Sequence, residues 1–207
     1  LSAEWWRIPR EWEGETAFII AGGTSVADQD TDQLKGRKVI AINRSWERIP
    51  FANFLFFGDD RWWREFGSEV LARFPGRIVT CAPGVKHERF LKLKKLKPDI
   101  GLSADPSEVM VRRTSLTGAL NLAWHLGAEP IVLLGADGKR GANGRLHHHA
   151  EYDGAMANEV STIWTEQRTD LTGAAEVLKA AGVRVVNASP GSALADLWPI
   201  VDLKDYL

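Results

Sequence analysis

Residues 17–28 read AFIIAGGTSVAD, a short apolar run that stops at two glycines and two hydroxyls and closes on an acid. An apolar run of this length cut off by small residues marks the carboxyl end of a buried strand and the tight loop after it. It is neither the dinucleotide fingerprint G-x-G-x-x-G nor the P-loop, because no second glycine-lysine pair follows. Gly22 and Gly23 let a backbone approach a ligand closely, and Thr24 and Ser25 can donate hydroxyl hydrogen bonds. A helix opening there would aim free N–H groups at an anion, with Asp28 as a cap. A phosphate-holding loop and a plain strand-to-helix turn both fit the stretch taken alone.

Other runs of the same kind surround it. Residues 38–42, 53–57, 77–81, 130–134 and 183–186 are apolar and continuous rather than alternating, which predicts strands covered on both faces, as in a parallel sheet. Between them, residues 115–126 place Leu116, Ala119, Leu120, Ala123 and Leu126 on one helical face, with Gly127 as a stop. Residues 172–181 repeat the pattern and end at Gly182. Strands alternating with helices predict an α/β fold: Rossmann-like, doubly wound, with a mostly parallel sheet and helices on both faces. No internal repeat or low-complexity linker interrupts the chain, and residues 1–207 read as one nucleotide-binding domain.

Composition narrows the classes. Apolar residues make up 44% and charged residues 26%, the balance of an ordinary globular protein. No apolar run approaches the ~20 residues needed to span a bilayer, and the start lacks a signal-peptide core, so a cytoplasmic protein with no membrane partner is expected. The single Cys81 allows no internal disulfide and fits a reducing compartment. A net charge of -1 gives no global attraction to nucleic acid. Nine tryptophans include the pairs Trp5–Trp6 and Trp62–Trp63 with Trp12 nearby, rings that pack a core edge or stack on a planar ligand. The stretch 86–97, KHERFLKLKKLK, reads as a solvated basic face or as a contact for a nucleic-acid strand.

In a doubly wound sheet the ligand lies beyond the carboxyl ends of the strands. The residues that follow the runs are therefore the candidate site: Gly22, Gly23, Thr24 and Ser25; Asn43 and Arg44; Gly58, Asp59 and Asp60; Asp137; and Ser189. Asn43 can bridge a ribose or a base edge, or close a turn. Thr114 and Ser115 can cap the helix beginning at Leu116, and an anion at the same terminus would not conflict with that. The segment RLHHHAEYD gathers His147, His148, His149, Glu151, Tyr152 and Asp153 in a loop. Three readings stand: a metal site, a general acid or base near a reacting oxygen, and a polar surface loop. Side chains alternate along an extended loop, so His147 and His149 share a face and His148 points away.

Taken in order, FIIAGGTSVADQD, VIAINRSW, FLFFGDD, TSLTGALNLAWHLGAEPIVLLGAD and VVNASPGSALADLWPIVDL resemble one superfamily over almost the whole chain. It comprises bacterial lipooligosaccharide sialyltransferases, motility-associated glycosyltransferases and archaeal hydroxymethylpterin diphosphokinases, with a phage-borne branch that the histidine segment resembles most. The family's G-x-G-P-S-L loop looks like Gly22 to Val26, with Thr24 in place of proline. The resemblance implies that Gly23, Thr24, Ser25, Asn43, Ser115, Thr117 and Gly118 hold a cytidine nucleotide sugar without a metal. Where the sialyltransferases carry their catalytic histidine, this chain reads Trp164-Thr165-Glu166-Gln167.

The leading expectation is an inverting, metal-independent glycosyltransferase. It takes a sugar from a nucleotide-activated donor to an acceptor hydroxyl, with a hydroxymethylated base of phage DNA as one candidate acceptor. His147 or His149 serves as base, with Asp59 and Asp137 next in line. No cofactor beyond the donor is expected. The alternatives are a diphosphoryl transfer from ATP, with Asp59, Asp60 and Asp137 as Mg²⁺ ligands, and a non-catalytic nucleotide-binding phage protein.

Overall fold

The computed structural model describes residues 5–96, 100–142, 144–150, 152 and 162–207. In chain order its strands are β1 (Ala17–Ile20), β2 (Lys38–Ile42), β3 (Phe54–Phe57), β4 (Arg77–Thr80), β5 (Phe90–Lys92), β6 (Lys94–Leu96), β7 (Glu108–Met110), β8 (Ile131–Leu134) and β9 (Val185–Asn187). The helices are α1 (Asp60–Arg73), α2 (Ser115–His125) and α3 (Ile163–Ala180). Seven strands form one parallel sheet in the order β5-β4-β3-β2-β1-β8-β9, and β6 pairs with β7 in a small parallel satellite. The direction of winding reverses between β1 and β8, which pair from Ala17 opposite Ile131 to Ile20 opposite Leu134. At such a reversal the following loops part and leave a crevice.

Period-two alternation sends the strand side chains into two cores. Ala17, Ile19, Ile40, Phe54, Phe56, Ile131 and Leu133 face α2 and α3. Phe18, Ile20, Val39, Leu55, Phe57, Val132 and Leu134 face α1 and the short turns after β1 and β2. Both faces of the sheet are covered, which is why the strands read as continuous apolar runs. Except for Trp5, which is exposed, the paired tryptophans and Trp12 pack on the core. Trp6 and Trp12 pack on Phe54 at 6.2 and 5.2 Å, and Trp62 and Trp63 pack on Phe57 at 5.1 and 5.0 Å.

Helix α2 is buried nearly all round, and its polar side chains are bonded accordingly. The Thr117 hydroxyl reaches the carbonyls of Met110 (2.8 Å) and Thr114 (2.9 Å), and Asn121 clamps the backbone of Ser103 from both sides at 2.9 Å. A methyl group at Gly118 would stand 2.3 Å from the Phe56 ring and 2.7 Å from Val111. Thr117 and Gly118, expected to contact a ligand, are thus interior packing residues. Gly118→Ala should lower stability by about 1–3 kcal/mol, measured as a lower urea midpoint, because the helix has no room to step back from β3.

The basic stretch is not one solvated face. Arg89 donates to the carbonyls of Leu71 and Phe74, Lys92 to Val85 and Pro83, Lys95 to Gly58, and Lys94 pairs with Glu108. Lys97 lies outside the described residues. Among the described residues no helix is long and apolar enough to cross a membrane.

Candidate functional site

At the switch point a cleft of about 670 Å³ opens between the ends of β1, β2, β3 and β8 and the N-terminal ends of α2 and α3. Its polar lining includes Gly22, Gly23, Asn43, Asp59, Thr114 and Ser115, together with Asp137, His147, His149 and Tyr152. Lys139, Arg140, Arg145 and Arg113 add positive charge around it, while Leu116, Trp164, Leu171 and Leu194 line an apolar end.

The first loop binds an anion, but the anion is the protein's own. Asp137 accepts from the Ser25 backbone N–H (3.0 Å), the Ser25 hydroxyl (2.5 Å) and the Thr24 hydroxyl (3.3 Å). The Gly23 N–H is taken by the Gly135 carbonyl at 2.9 Å. The helix expected after the loop is a single 3-10 turn, Thr24–Asp28. A carboxylate already fills the place where a phosphate was expected, so Thr24 and Ser25 secure the loop and Asp137 is committed to them. Gly23 is required for that contact: a Cβ there would lie 2.4 Å from the Gly135 carbonyl oxygen and 2.5 Å from the Asp137 carboxyl carbon.

Behind this loop a buried network fixes β8. The Asn187 amide donates to the Ala136 carbonyl (3.0 Å), and the Ser189 hydroxyl accepts from the Ala136 N–H (3.0 Å). Ser192 also donates to the Ala136 carbonyl, at 2.7 Å. Ser189, expected at the ligand, therefore supports the loop that carries Asp137. The C-terminal element thus supports the cleft through Ser189 and lines it directly only with Leu194.

The histidine segment lies on the first loop. The rings of His147 and His149 stack at 4.7 Å with an 11° tilt, and Tyr152 meets both edge-on at 5.1 Å. His149 Nδ1 is 2.7 Å from the Ala150 carbonyl, a contact that needs a donor, so in the neutral ring the lone pair sits on Nε2. A Cβ at Gly22 would lie 3.0 Å from His147 Nδ1 and 3.7 Å from His149 Nε2, so both imidazoles stand over that glycine. His148 engages different partners, with Nε2 3.1 Å from the Ser45 hydroxyl and its backbone N–H 3.0 Å from the Gly22 carbonyl, while its ring meets that of His149 edge-on at 5.2 Å.

Burial, and secondarily the charges of His149, Arg48 and His147, push the His148 imidazole down to about 3. A base whose folded pKa is depressed adds stability above its unfolded value near 6.5 and loses it as pH falls toward 3. His125, also lowered by burial, acts with the same sign. The melting temperature should therefore fall on acidification below pH ~6.5, and His148→Gln should flatten that fall in part. A parallel acid profile in the variant would contradict the assignment.

Asn43 is the one non-glycine residue with positive φ (50°) among the described residues, and it lines the cleft. Asn adopts this region more readily than most residues, yet a strained backbone at a cleft wall points to a role for its side chain. Asn43→Gly keeps the backbone and deletes the amide. It should cost more than tenfold in ligand affinity with little change in melting temperature, if the amide makes even one well-placed hydrogen bond to a charged or buried group.

Among solved structures the chain is similar to the Maf glycosyltransferase of Magnetospirillum magneticum AMB-1 (TM-score 0.59, 14% identity), covering 91% of this chain and 34% of that one. It is also similar to the sialyltransferase CstII of Campylobacter jejuni in complex with cytidine-5'-monophosphate (TM-score 0.57, 14% identity), covering 91% of this chain and 85% of that one. A structure of Cst-II with a trisaccharide acceptor and CMP gives a TM-score of 0.52 at 12% identity over 90% and 86% of the two chains. The chain shares their fold. It spans about a third of the length of the Maf protein. No protein-family model and no curated protein sequence matches it.

The remaining expected residues fall outside this cleft or are engaged within it. Arg44 pairs with Glu47 and reaches the Ala150 carbonyl at 3.4 Å, so it tethers the histidine segment. Gly58 is covered by Val111 and Cys81. Asp59 caps α1, accepting from the Arg61 N–H at 2.8 Å. Burial raises its carboxyl, but the Arg61 side chain and backbone and the charges of Arg61 and Lys95 outweigh this and hold it below its ordinary value. It is a weak base. Asp60 accepts from the Gly84 N–H at 3.0 Å. The three carboxylates offered as Mg²⁺ ligands thus turn to three different partners, and among the described residues no group of three His, Cys, Asp or Glu converges on an ion position. Glu151 and Asp153 lie outside the described residues. The cations Arg113, Lys139, Arg140 and Arg145, and the rings Trp62, Tyr152 and Trp164, were missed as site residues. Only the strand order shows that they meet.

Proposed function

We propose that the protein transfers a sugar from a nucleotide-activated donor to an acceptor hydroxyl. The observation that carries this reading is the stacked His147–His149 pair over Gly22, facing a cleft that also presents Asn43 and the start of α2. Asn43 takes the nucleoside. Thr114, Ser115 and the positive end of α2 take the phosphate, aided by the charge of Lys139, Arg140 and Arg145. An imidazole Nε2 accepts the acceptor's hydroxyl proton as its oxygen attacks the anomeric carbon. The bond from that carbon to the phosphate oxygen breaks, and the nucleoside phosphate leaves with the electron pair on the opposite face, giving inversion. Hydroxyls, N–H groups and cations stabilise that leaving anion, and no metal takes part.

Support for the donor class comes from the shared fold, since the CstII structures hold CMP and, in one, a trisaccharide acceptor. Cytidine nucleotides are therefore the first to try. Lys92, Lys94 and Lys95 are each engaged by partners within the protein, which weakens the argument for DNA as the acceptor, and a carbohydrate hydroxyl is the acceptor to test first. The test is a panel of nucleotide sugars incubated with and without EDTA and a saccharide acceptor, with released nucleotide measured. Acceptor-dependent release that survives EDTA is expected. Release that vanishes with EDTA would sink the metal-independent mechanism, and no release from any donor would sink the transferase.

A further inference from the structure

We propose that Ser45 and His148 are positioning residues that aim the His147–His149 pair into the cleft. The inference rests on the functional reading above, in which that pair supplies the base. The Ser45 hydroxyl donates to the Ala21 carbonyl at 3.1 Å. With its proton on that carbonyl, the hydroxyl accepts from His148 Nε2–H across the other 3.1 Å contact. This fixes the His148 tautomer and the plane of its ring. The backbone N–H of the same residue is held by the Gly22 carbonyl at 3.0 Å.

One residue is thus gripped at both ends by elements of the sheet: Gly22 follows β1, and Ser45 follows β2. The His148 ring, held in this way, meets the His149 ring edge-on at 5.2 Å and backs the neighbour that faces the cleft. Further anchors hold the segment's far end, Arg145 to the His149 carbonyl at 2.7 Å and Arg44 to the Ala150 carbonyl. They restrain the backbone; His148 adds a side-chain anchor in direct ring contact with His149. Burial keeps the His148 ring neutral near pH 7, so no charge is placed in the desolvated space behind the loop. Ser45 is fully buried, which keeps water from competing for the same bond.

The experiment compares Ser45→Ala, His148→Ala and His148→Gln in the full chain, where glutamine places an amide N–H near the site of imidazole Nε2. Two readouts are taken. Ring ¹⁵N correlations report imidazole tautomers without any substrate, and donor turnover is resolved into kcat and KM with CMP affinity as a control. In the parent, His148 should appear as a neutral Nε2–H ring from pH 5 to 8, and neutral His149 as the Nδ1–H tautomer. His148→Ala and Ser45→Ala should mix the His149 tautomers and lower kcat about 10²-fold, the scale set by a ~1 Å misplacement, with KM and CMP affinity within about twofold. His148→Gln should recover most of kcat. If His148→Ala does not fold, Ser45→Ala and His148→Gln carry the comparison. Parental kcat and tautomers in Ser45→Ala and His148→Ala, alongside a large loss in His149→Ala, would overturn the positioning role and leave the functional reading intact. Parental kcat in both His147→Ala and His149→Ala would overturn the two together.

Discussion

Alanine at His149 is expected to lower turnover ~10²–10⁴-fold, the usual worth of a general base, while leaving nucleotide affinity nearly unchanged. His149 is the stronger candidate of the pair. It is 8% exposed, its Nδ1 proton is fixed on the Ala150 carbonyl, and its Nε2 stands over Gly22 in the cleft. Alanine at His147 should cost less, because that ring contributes by stacking on its partner at 4.7 Å and holding its plane. The measurement is kcat and KM for each variant, with nucleotide affinity from calorimetry. A kcat that falls together with affinity would place the histidine in binding rather than in proton transfer. The neighbouring acids are poorer bases: Asp137 spends its carboxylate on Ser25 and Thr24, and Asp59 is held ionised by Arg61.

Valine at Gly23 should abolish nucleotide binding and also lower the melting temperature substantially. The sequence alone suggests a milder outcome, binding lost with the fold almost intact, because it reads the glycine as leaving room for a ligand. The structure places the would-be side chain against the Gly135 carbonyl and the Asp137 carboxylate, both within 2.5 Å. Backbone cannot yield there without parting β1 from β8 at the switch point, so overpacking of about 1–3 kcal/mol is a lower bound. Asp137→Asn separates the two effects, because it keeps the shape and loses the charge. Charge-assisted hydrogen bonds are worth about 1.5–3 kcal/mol, and the loss should appear as a lower denaturation midpoint. Unchanged stability in both variants would mean that the loop is not held by the carboxylate.

The sheet was legible because burial on both faces writes itself as continuous apolar runs. Residues 38–42 were bounded to the residue, and the other runs of the main sheet differ from β1, β3, β4, β8 and β9 by one or two positions at an end. Helix α1 was not found, although Asp59 is a good cap and Trp62, Phe66 and Val70 recur every four residues; the loop reading of Gly58 to Arg61 hid it. The first half of α3 was missed for a different reason. Glu166, Arg168 and Asp170 read as loop, and they are tolerated in the helix because Asp170 and Glu166 pair with Arg112 and Arg113. The short β5 and β6 sit in a lysine-rich stretch, and β7 is only three residues long; the lysines find their partners only through tertiary contacts.

In the site, the structure stacks His147 on His149 as the sequence suggests, but the His148 ring does not stand on the opposite side: it meets His149 edge-on at 5.2 Å, because the segment bends at His148 and His149. Asn43 was legible as a polar residue after a strand. The roles of Thr24, Ser25, Asp137 and Ser189 were not. Each carries the right chemistry for a ligand, and only the pairing of β1 with β8 and of β8 with β9 shows that they spend it on one another.

The central claim is that the cleft between β1 and β8 holds a nucleotide through Asn43. A thermal-shift titration of CMP and a panel of nucleotide sugars, run on the parent and on Asn43→Gly, tests it most directly. A ligand at about 100 times its Kd stabilises the folded state by ~2.7 kcal/mol. For a chain of this size that is a rise of roughly 5–10 °C. The account predicts such a rise for at least one nucleotide in the parent and its loss in Asn43→Gly at equal ligand concentration. No shift with any nucleotide, or the same shift in both proteins, would contradict it.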